Sequence, residues 1–134
     1  MRYNGIIESK LRIIEQKLEE IESWHINSFS QLKESSLLQN ALERALQVSI
    51  EVMIDISERI LALNKEHPLS SAQENIQRIQ ELGIISAKPE YSDMVKFRNF
   101  IVHRYEKIDL EIIYGILKNK LFLFKDFIDE IRGR

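Results

Sequence analysis

Residues able to move protons and to bind phosphate lie close together between positions 98 and 105. Arg98, Asn99, His103 and Tyr105 follow the pattern R-N-x-x-x-H-x-Y. Histidine transfers protons near neutral pH, and the forked guanidinium of arginine pairs with phosphate oxygens and with the added negative charge of a phosphorane. Asparagine can orient a phosphate oxygen or the histidine. Because the segment holds no carboxylate cluster for a metal, the set suits metal-independent cleavage of RNA by its own ribose 2′-hydroxyl.

The helical phase of this segment predicts which residues face outward. Successive residues of an α-helix are about 100° apart. We predict that the core-facing side holds Met94, Phe97, Phe100 and Ile101. The motif residues fall on the opposite side, around Val95 and Val102. Two exposed valines would be covered if the same helix of a second subunit packed across them, so that two histidines, one from each subunit, serve as base and acid.

Such a pattern is weak without its structural context, because an arginine and a histidine on one helix are more often a surface feature. Apolar residues at three- and four-residue steps predict amphipathic helices over about 4–23 and 36–64. Ser71 and Glu74 have the spacing of a capping box, so a short helix begins there and ends near Gly83. These helices would form the scaffold that positions the motif.

The motif helix and one further helix complete the chain. Pro89 is suited to a first helical turn, and the motif helix is predicted to extend to about Arg104. Asp109 is the predicted N-cap of a last helix from Leu110 to about Ile131. One apolar seam of that helix consists of Leu110, Ile113, Leu117, Leu121, Phe124, Ile128 and Ile131. A second seam consists of Ile112, Ile116, Leu123 and Phe127. Two seams exceed the need of one small bundle, which predicts a homodimer interface.

Length and composition limit the fold class. We expect one domain over residues 1–134, since 134 residues can bury a core without disulfides or metals. Only four glycines and two prolines interrupt the chain, so turns are scarce and the elements are long. The fold class is therefore predicted as all-α, an antiparallel bundle of four or five helices.

Charge and the absence of special segments limit the function and the location. The net charge is −2 and there is no cysteine. A nonspecific nucleic-acid-coating protein would be basic, so any RNA contact must be local. The chain has no apolar run of about 20 residues and its N-terminus does not resemble a signal peptide. A cytoplasmic protein without a membrane partner is expected.

The chain resembles the HEPN superfamily, specifically its HepT-like toxin group. The segment from Arg98 to Tyr105 matches the R-x4-H-x-Y motif of that group. Further resemblance is found in the second-helix pattern at 41–51 and 54–56, the approach to the motif helix at 82–85, and the entry to the last helix at 108–109 with 113–114. Nearly the whole chain is covered, and the motif itself shows no departure.

This resemblance implies an all-helical dimer that acts as an RNase toxin on tRNA or mRNA. It implies that Arg98 and His103 are catalytic and that Asn99 assists them, with no metal or cofactor. It also implies a partner antitoxin, a minimal nucleotidyltransferase of the MntA type, which transfers AMP from ATP to Tyr105.

Two other functions are compatible with the low net charge and the sparse basic residues. One is a non-catalytic helical scaffold or nucleotide-binding partner of a nucleotidyltransferase. The other is a substrate-binding subunit for nucleotidyl transfer to a different acceptor. Absence of toxicity together with stable complex formation would favour either of them over an RNase.

Overall fold

A computed structural model describes residues 5–102 and 109–133. Those two ranges are helical and contain no strand, which confirms the all-α prediction. In chain order the helices are α1 (Gly5–Ser23), α2 (Phe29–Lys33), α3 (Ser36–Leu63), α4 (Ala72–Glu81), α5 (Pro89–Val102), α6 (Leu110–Asn119) and α7 (Phe122–Ile131). None of these helices combines the length and the apolar character that a membrane span requires.

Helix α3 lies at the centre of the bundle, where it contacts α1, α2, α4, α5 and α6. Such a position explains why its buried residues occupy much of its circumference. They are Leu42, Ala45, Leu46, Ser49, Ile50, Met53, Ile54, Ile56, Ser57, Ile60 and Leu61. Early residues of α1 lie beside late residues of α3, because Lys10 pairs with Asp55 at 2.6 Å and Ile6 lines the same hollow as Leu63. The two helices are therefore antiparallel.

The last helix closes the bundle against the first. Arg132, just after α7, donates hydrogen bonds from its guanidinium to both Glu8 (2.6 Å) and Glu15 (2.9 Å) of α1. Lys125 near the start of α7 pairs with Glu22 near the end of α1. Helices α1 and α7 are therefore antiparallel as well, and their pairing holds the two ends of the chain together.

The predicted start and end of α4 are confirmed. Ser71 Oγ accepts a hydrogen bond from the backbone N–H of Glu74 at 3.1 Å, and the Ser71 hydroxyl donates to the Glu74 carboxylate at 3.0 Å. The chain turns out of the helix at Gly83, whose φ of 74° favours glycine. The backbone N–H of Ile84 then donates to the carbonyl of Ile79 at 3.0 Å, which satisfies a free carbonyl of the last turn.

The single last helix predicted over 110–131 is broken into α6 and α7. Asp109 caps α6 as predicted, since its carboxylate accepts from the N–H of Glu111 at 2.9 Å. Within α7 the members of both seams are buried, because Leu123, Phe124, Phe127, Ile128 and Ile131 fall on one side of the helix. Of the second apolar seam, Ile116, Leu123 and Phe127 are buried and Ile112 is exposed. Three of the four residues of that seam thus pack in the core of their own chain. The prediction that this seam forms a homodimer interface was therefore wrong.

Candidate active site

The helix that carries the motif is anchored at its first turn. Tyr91 is fully buried, and its hydroxyl donates a hydrogen bond to the carboxylate of Glu130 in α7. The same carboxylate accepts from the backbone N–H of Ser86 at 2.8 Å, and Lys88 forms an ion pair with Asp126. Burial, followed by the hydrogen bond to Glu130 and its negative charge, raises the pKa of Tyr91 well above its usual value. The start of α5 is thereby tied to the final helix.

The buried side of α5 differs from the predicted one. Its buried apolar residues are Tyr91, Met94, Val95, Phe97 and Ile101. Val95, predicted to be exposed, is 1% exposed, whereas Phe100, predicted to face the core, is 42% exposed. Both predictions were wrong, because α5 packs against α3 and α4 through a face that includes Val95 and leaves Phe100 out.

The burial of Val95 removes the argument that two exposed valines call for a partner helix. One of the two lies in the core of its own chain. The side chain of Val102 lies outside the described part of the structure. A pair of exposed valines on α5 therefore does not support a second subunit.

Arg98 was predicted to face away from the core, and this prediction was wrong, because the residue lies within the buried side of its helix. At about 100° per residue it stands about 60° from Val95 and about 60° from Ile101, both of which are buried. The Arg98 side chain is half-buried, and its Nε is buried without a hydrogen-bond partner among the described residues. A buried donor on a charged group is costly when unpaired. An anionic oxygen is the ligand that would satisfy it best.

The other motif residues divide between the described and the undescribed parts of the chain. Asn99 follows Arg98 directly and is exposed, in agreement with the predicted outward position. His103 and Tyr105 fall in the stretch 103–108, outside the described residues. The structure therefore places Arg98 and Asn99 side by side in the last turns of α5.

A groove between α5 and α6 adjoins the motif and was not anticipated from the sequence. We refer to it as the α5–α6 groove; it has a volume of about 450 Å³. Its lining includes Lys96, Phe97, Phe100, Ile112, Gly115 and Lys120. Gly115, a glycine inside an apolar helix, was the residue in the sequence that could have indicated a groove. The groove was not predicted because Phe100 was assigned to the core.

Two other features of the described chain bear on its chemistry. No cluster of three histidine, cysteine or carboxylate side chains that could hold a metal ion occurs within residues 5–102 and 109–133. A second hollow, of about 520 Å³, lies at the start of α5 and is lined by residues that include Gln80, Ser86 and Glu130. That hollow is at the opposite end of α5 from Arg98 and Asn99.

Comparison with known proteins gives close matches over nearly the whole chain. The chain is 28% identical over 135 residues to the mRNA nuclease HepT of Shewanella oneidensis, covering 97% of this chain and 98% of that protein. The solved structure of the tri-AMPylated Shewanella oneidensis HEPN toxin in complex with MNT antitoxin superposes with a TM-score of 0.89. That match has 27% identity and covers 98% of this chain and 100% of the toxin.

A further solved structure, of a MntA-HpeT toxin–antitoxin with a tyrosine-to-alanine substitution, matches with a TM-score of 0.85 and 26% identity. It covers 97% of this chain and 100% of the other. The model of the ribonuclease HepT-like family matches residues 14–131, which include α2 to α7 and the complete R-x4-H-x-Y motif. The chain therefore belongs to the ribonuclease HepT-like family.

Proposed function

We propose that this protein is the toxin of a HEPN/MNT toxin–antitoxin pair and acts as a metal-independent endoribonuclease. The observation that carries the proposal is the half-buried Arg98, whose Nε has no partner within the described chain and which stands beside the exposed Asn99. In a family whose relative is an mRNA nuclease, the anion that suits this guanidinium is the scissile phosphate of RNA. The substrate is mRNA or tRNA.

The proposed reaction is an internal transesterification. A base removes the proton of the ribose 2′-hydroxyl, and the 2′-oxygen attacks the adjacent phosphorus. The bond from phosphorus to the 5′-oxygen breaks, and an acid returns a proton to that oxygen, so the products carry a 2′,3′-cyclic phosphate and a 5′-hydroxyl. Arg98 stabilises the phosphorane, Asn99 orients a phosphate oxygen or the histidine, and His103 transfers the proton.

The number of histidines that can transfer a proton supports a homodimer as the active form. The reaction needs one base and one acid, and the motif supplies one histidine per chain. The remaining histidines, His25 and His67, are exposed residues in the connections after α1 and after α3, distant in sequence from the motif. We propose that each chain, folded as one domain over 1–134, provides half of the site and that a second copy provides the other histidine.

We further propose that a cognate MntA-type nucleotidyltransferase neutralises the toxin by AMPylation of Tyr105. Support comes from the related toxin that is tri-AMPylated in complex with its MNT antitoxin. The phenol oxygen attacks the α-phosphorus of ATP, and pyrophosphate leaves. Tyr105 follows Arg98 by seven positions in the sequence. A phosphodiester there would compete with RNA phosphate for the guanidinium.

The chemistry of the product ends tests the proposal. Purified protein in excess EDTA should cleave single-stranded RNA and leave 2′,3′-cyclic phosphate and 5′-hydroxyl ends. The same RNA with 2′-O-methyl groups should remain intact, because its attacking hydroxyl is blocked. No cleavage of unmodified RNA, together with stable binding to the nucleotidyltransferase, would instead indicate a non-catalytic scaffold or nucleotide-binding partner, the alternative with which the net charge of −2 is compatible.

A further inference from the structure

The α5–α6 groove exposes an aromatic ring that is supported from behind. Phe100 is 42% exposed although it belongs to the helix that packs on the core. Its ring stacks on that of Phe97 with a centroid distance of 6.4 Å and an interplanar angle of 27°. Phe97 is itself 8% exposed, so one face of Phe100 is covered by a fixed neighbour. The exposed part of the Phe100 ring is the surface on which a flat ligand could stack.

The opposite wall of the groove contains a helical glycine that internal packing does not require. Gly115 lies in the middle of α6, where glycine is less favourable than alanine. A Cβ built on Gly115 would meet no atom of the described chain within 4 Å, and its φ is not in the left-handed region. The missing side chain therefore leaves open space along this wall of the groove instead of relieving a contact.

Positive charge stands on both sides of this apolar space. Lys96 from α5 and Lys120 at the end of α6 line the groove, with Asp93 as the acidic member. The Lys96 ammonium is 3.9 Å from the Asp93 carboxylate and its side chain is 63% exposed. No ion pair to Lys120 occurs among the described residues. The ion pair between Lys96 and Asp93 is thus long and exposed. Both lysines can therefore contact the phosphates of a bound RNA strand.

We propose that the α5–α6 groove is a nucleobase subsite for single-stranded RNA. A base stacks on the exposed part of the Phe100 ring and fills the space over Gly115, while Lys96 and Lys120 contact the flanking phosphates. The volume of about 450 Å³ lies within the range of small-ligand sites. Phe100 stands about 160° around α5 from Arg98, so the base lies on another side of this helix than the candidate phosphate site; that both sites bind one RNA strand rests on the proposed function.

A second copy of the chain fits the groove less well. An isologous contact centred here would bring the same surface of two copies together, and with it Lys96 and Lys120 of one copy against those of the other. The lysine ammonium groups of the two copies would then repel each other, whereas the phosphates of RNA would neutralise them. The large exposed apolar side chains at the groove are Phe100 and Ile112, which is little for a stable subunit interface.

The test measures binding of a fluorescent 2′-O-methyl oligoribonucleotide by anisotropy, because this probe cannot be cleaved by its own 2′-oxygen. Phe100→Leu should weaken binding about 5- to 150-fold, whereas Phe100→Trp should keep it, since stacking needs an aromatic face. Gly115→Leu should weaken binding from the other wall by filling the open space. Phe122→Leu and Gly5→Leu make the same changes outside the groove and should bind as the unmodified protein does.

The contacts of Lys96 and Lys120 with phosphate are tested by the salt dependence of RNA binding. Lys96→Gln and Lys120→Gln should each reduce the slope of log K against log salt by about 0.7, the value for one phosphate of a single strand. A smaller affinity without a change in slope would contradict their contact with phosphate.

Several results would overturn the subsite. One is unchanged affinity for the probe in both Phe100→Leu and Gly115→Leu, and another is no binding of the probe by the unmodified protein. A third is a change of oligomeric state in Phe100→Leu, measured by sedimentation, which would make the groove a subunit contact. Loss of probe binding in Phe100→Leu by a protein that cuts no RNA would refute the proposed nuclease but support the subsite. The two proposals therefore fail separately.

Discussion

The hydroxyl of Tyr91 donates a hydrogen bond to the carboxylate of Glu130, and this contact joins the first turn of the motif helix to the last helix of the bundle. Tyr91 is fully buried, and its ring also packs edge-on against Phe127 with centroids 6.0 Å apart. Arg98 follows Tyr91 by seven positions, about two helical turns. The placement of the candidate catalytic arginine therefore depends on this anchor.

Removal of the Tyr91 hydroxyl should destabilise the fold. Tyr91→Phe keeps the ring but leaves one oxygen of Glu130 without its donor, so the free energy of unfolding should fall by about 1.5–3 kcal/mol. Urea denaturation followed by circular dichroism measures the change. Tyr114→Phe is the matched control, since Tyr114 is half-buried and makes only ring contacts among the described residues. Equal losses in both variants would contradict a special role for the Tyr91 hydroxyl.

The same residue predicts a loss of stability in alkaline solution. Burial and the neighbouring Glu130 raise the pKa of Tyr91 in the folded state, whereas a tyrosine in the unfolded chain loses its proton near pH 10. Above about pH 10 the native state therefore binds more protons than the unfolded state, and stability falls as the pH rises.

Comparison with Tyr91→Phe isolates this contribution from the other groups that titrate there. The slope of stability against pH should be steeper in the unmodified protein by up to about 1.4 kcal/mol per pH unit. Urea denaturation at several pH values between about 9 and 11 provides the slopes. Parallel slopes would mean that the phenol is not held protonated by the fold.

Replacement of Arg98 tests the anion site directly. Arg98→Lys keeps the charge but loses the fork and the buried Nε, so the rate of RNA cleavage should fall about 100- to 1,000-fold. Saturating RNA should show this loss in kcat, because the guanidinium acts on the phosphorane. Arg44→Lys, an exposed position on α3, controls for the substitution. A cleavage rate within twofold of the unmodified protein would remove Arg98 from the mechanism.

Modification by the partner enzyme should depend on a single phenol. Incubation with the cognate nucleotidyltransferase and ATP should increase the mass of the protein by one or more adenylyl groups and abolish RNA cleavage. Tyr105→Phe should acquire no mass and stay active, while Tyr114→Phe should behave as the unmodified protein. Adenylylation of the Tyr105→Phe variant would place the acceptor elsewhere.

The helices were largely predictable because apolar spacing and caps report local structure. The Ser71–Glu74 cap and the turn at Gly83 are specified by residues within one helical turn. The phase of α5 was not predictable in the same way. Its buried residues extend from Tyr91 to Ile101 around much of the helix, so the largest apolar cluster on a helical wheel did not mark the side that α3 and α4 cover.

Similar reasoning explains the other two departures. No glycine or proline lies between residues 116 and 131 to mark the break at Lys120, so the sequence suggested one continuous helix. The half-burial of Arg98 also depends on tertiary packing, since an arginine within the motif gives no sign of which helices will surround it. The residue types of the motif could be recognised from the sequence, whereas the environment of Arg98 could not.

The most direct test of the account is the effect of His103→Ala on RNA cleavage in EDTA. The measurement is the single-turnover cleavage rate of a single-stranded RNA, with His67→Ala as the control at an exposed histidine outside the motif. His103→Ala should lose at least about 100-fold in rate, because it removes the proton-transfer group, while binding of 2′-O-methyl RNA persists. Cleavage by His103→Ala at the rate of the unmodified protein would contradict the catalytic assignment.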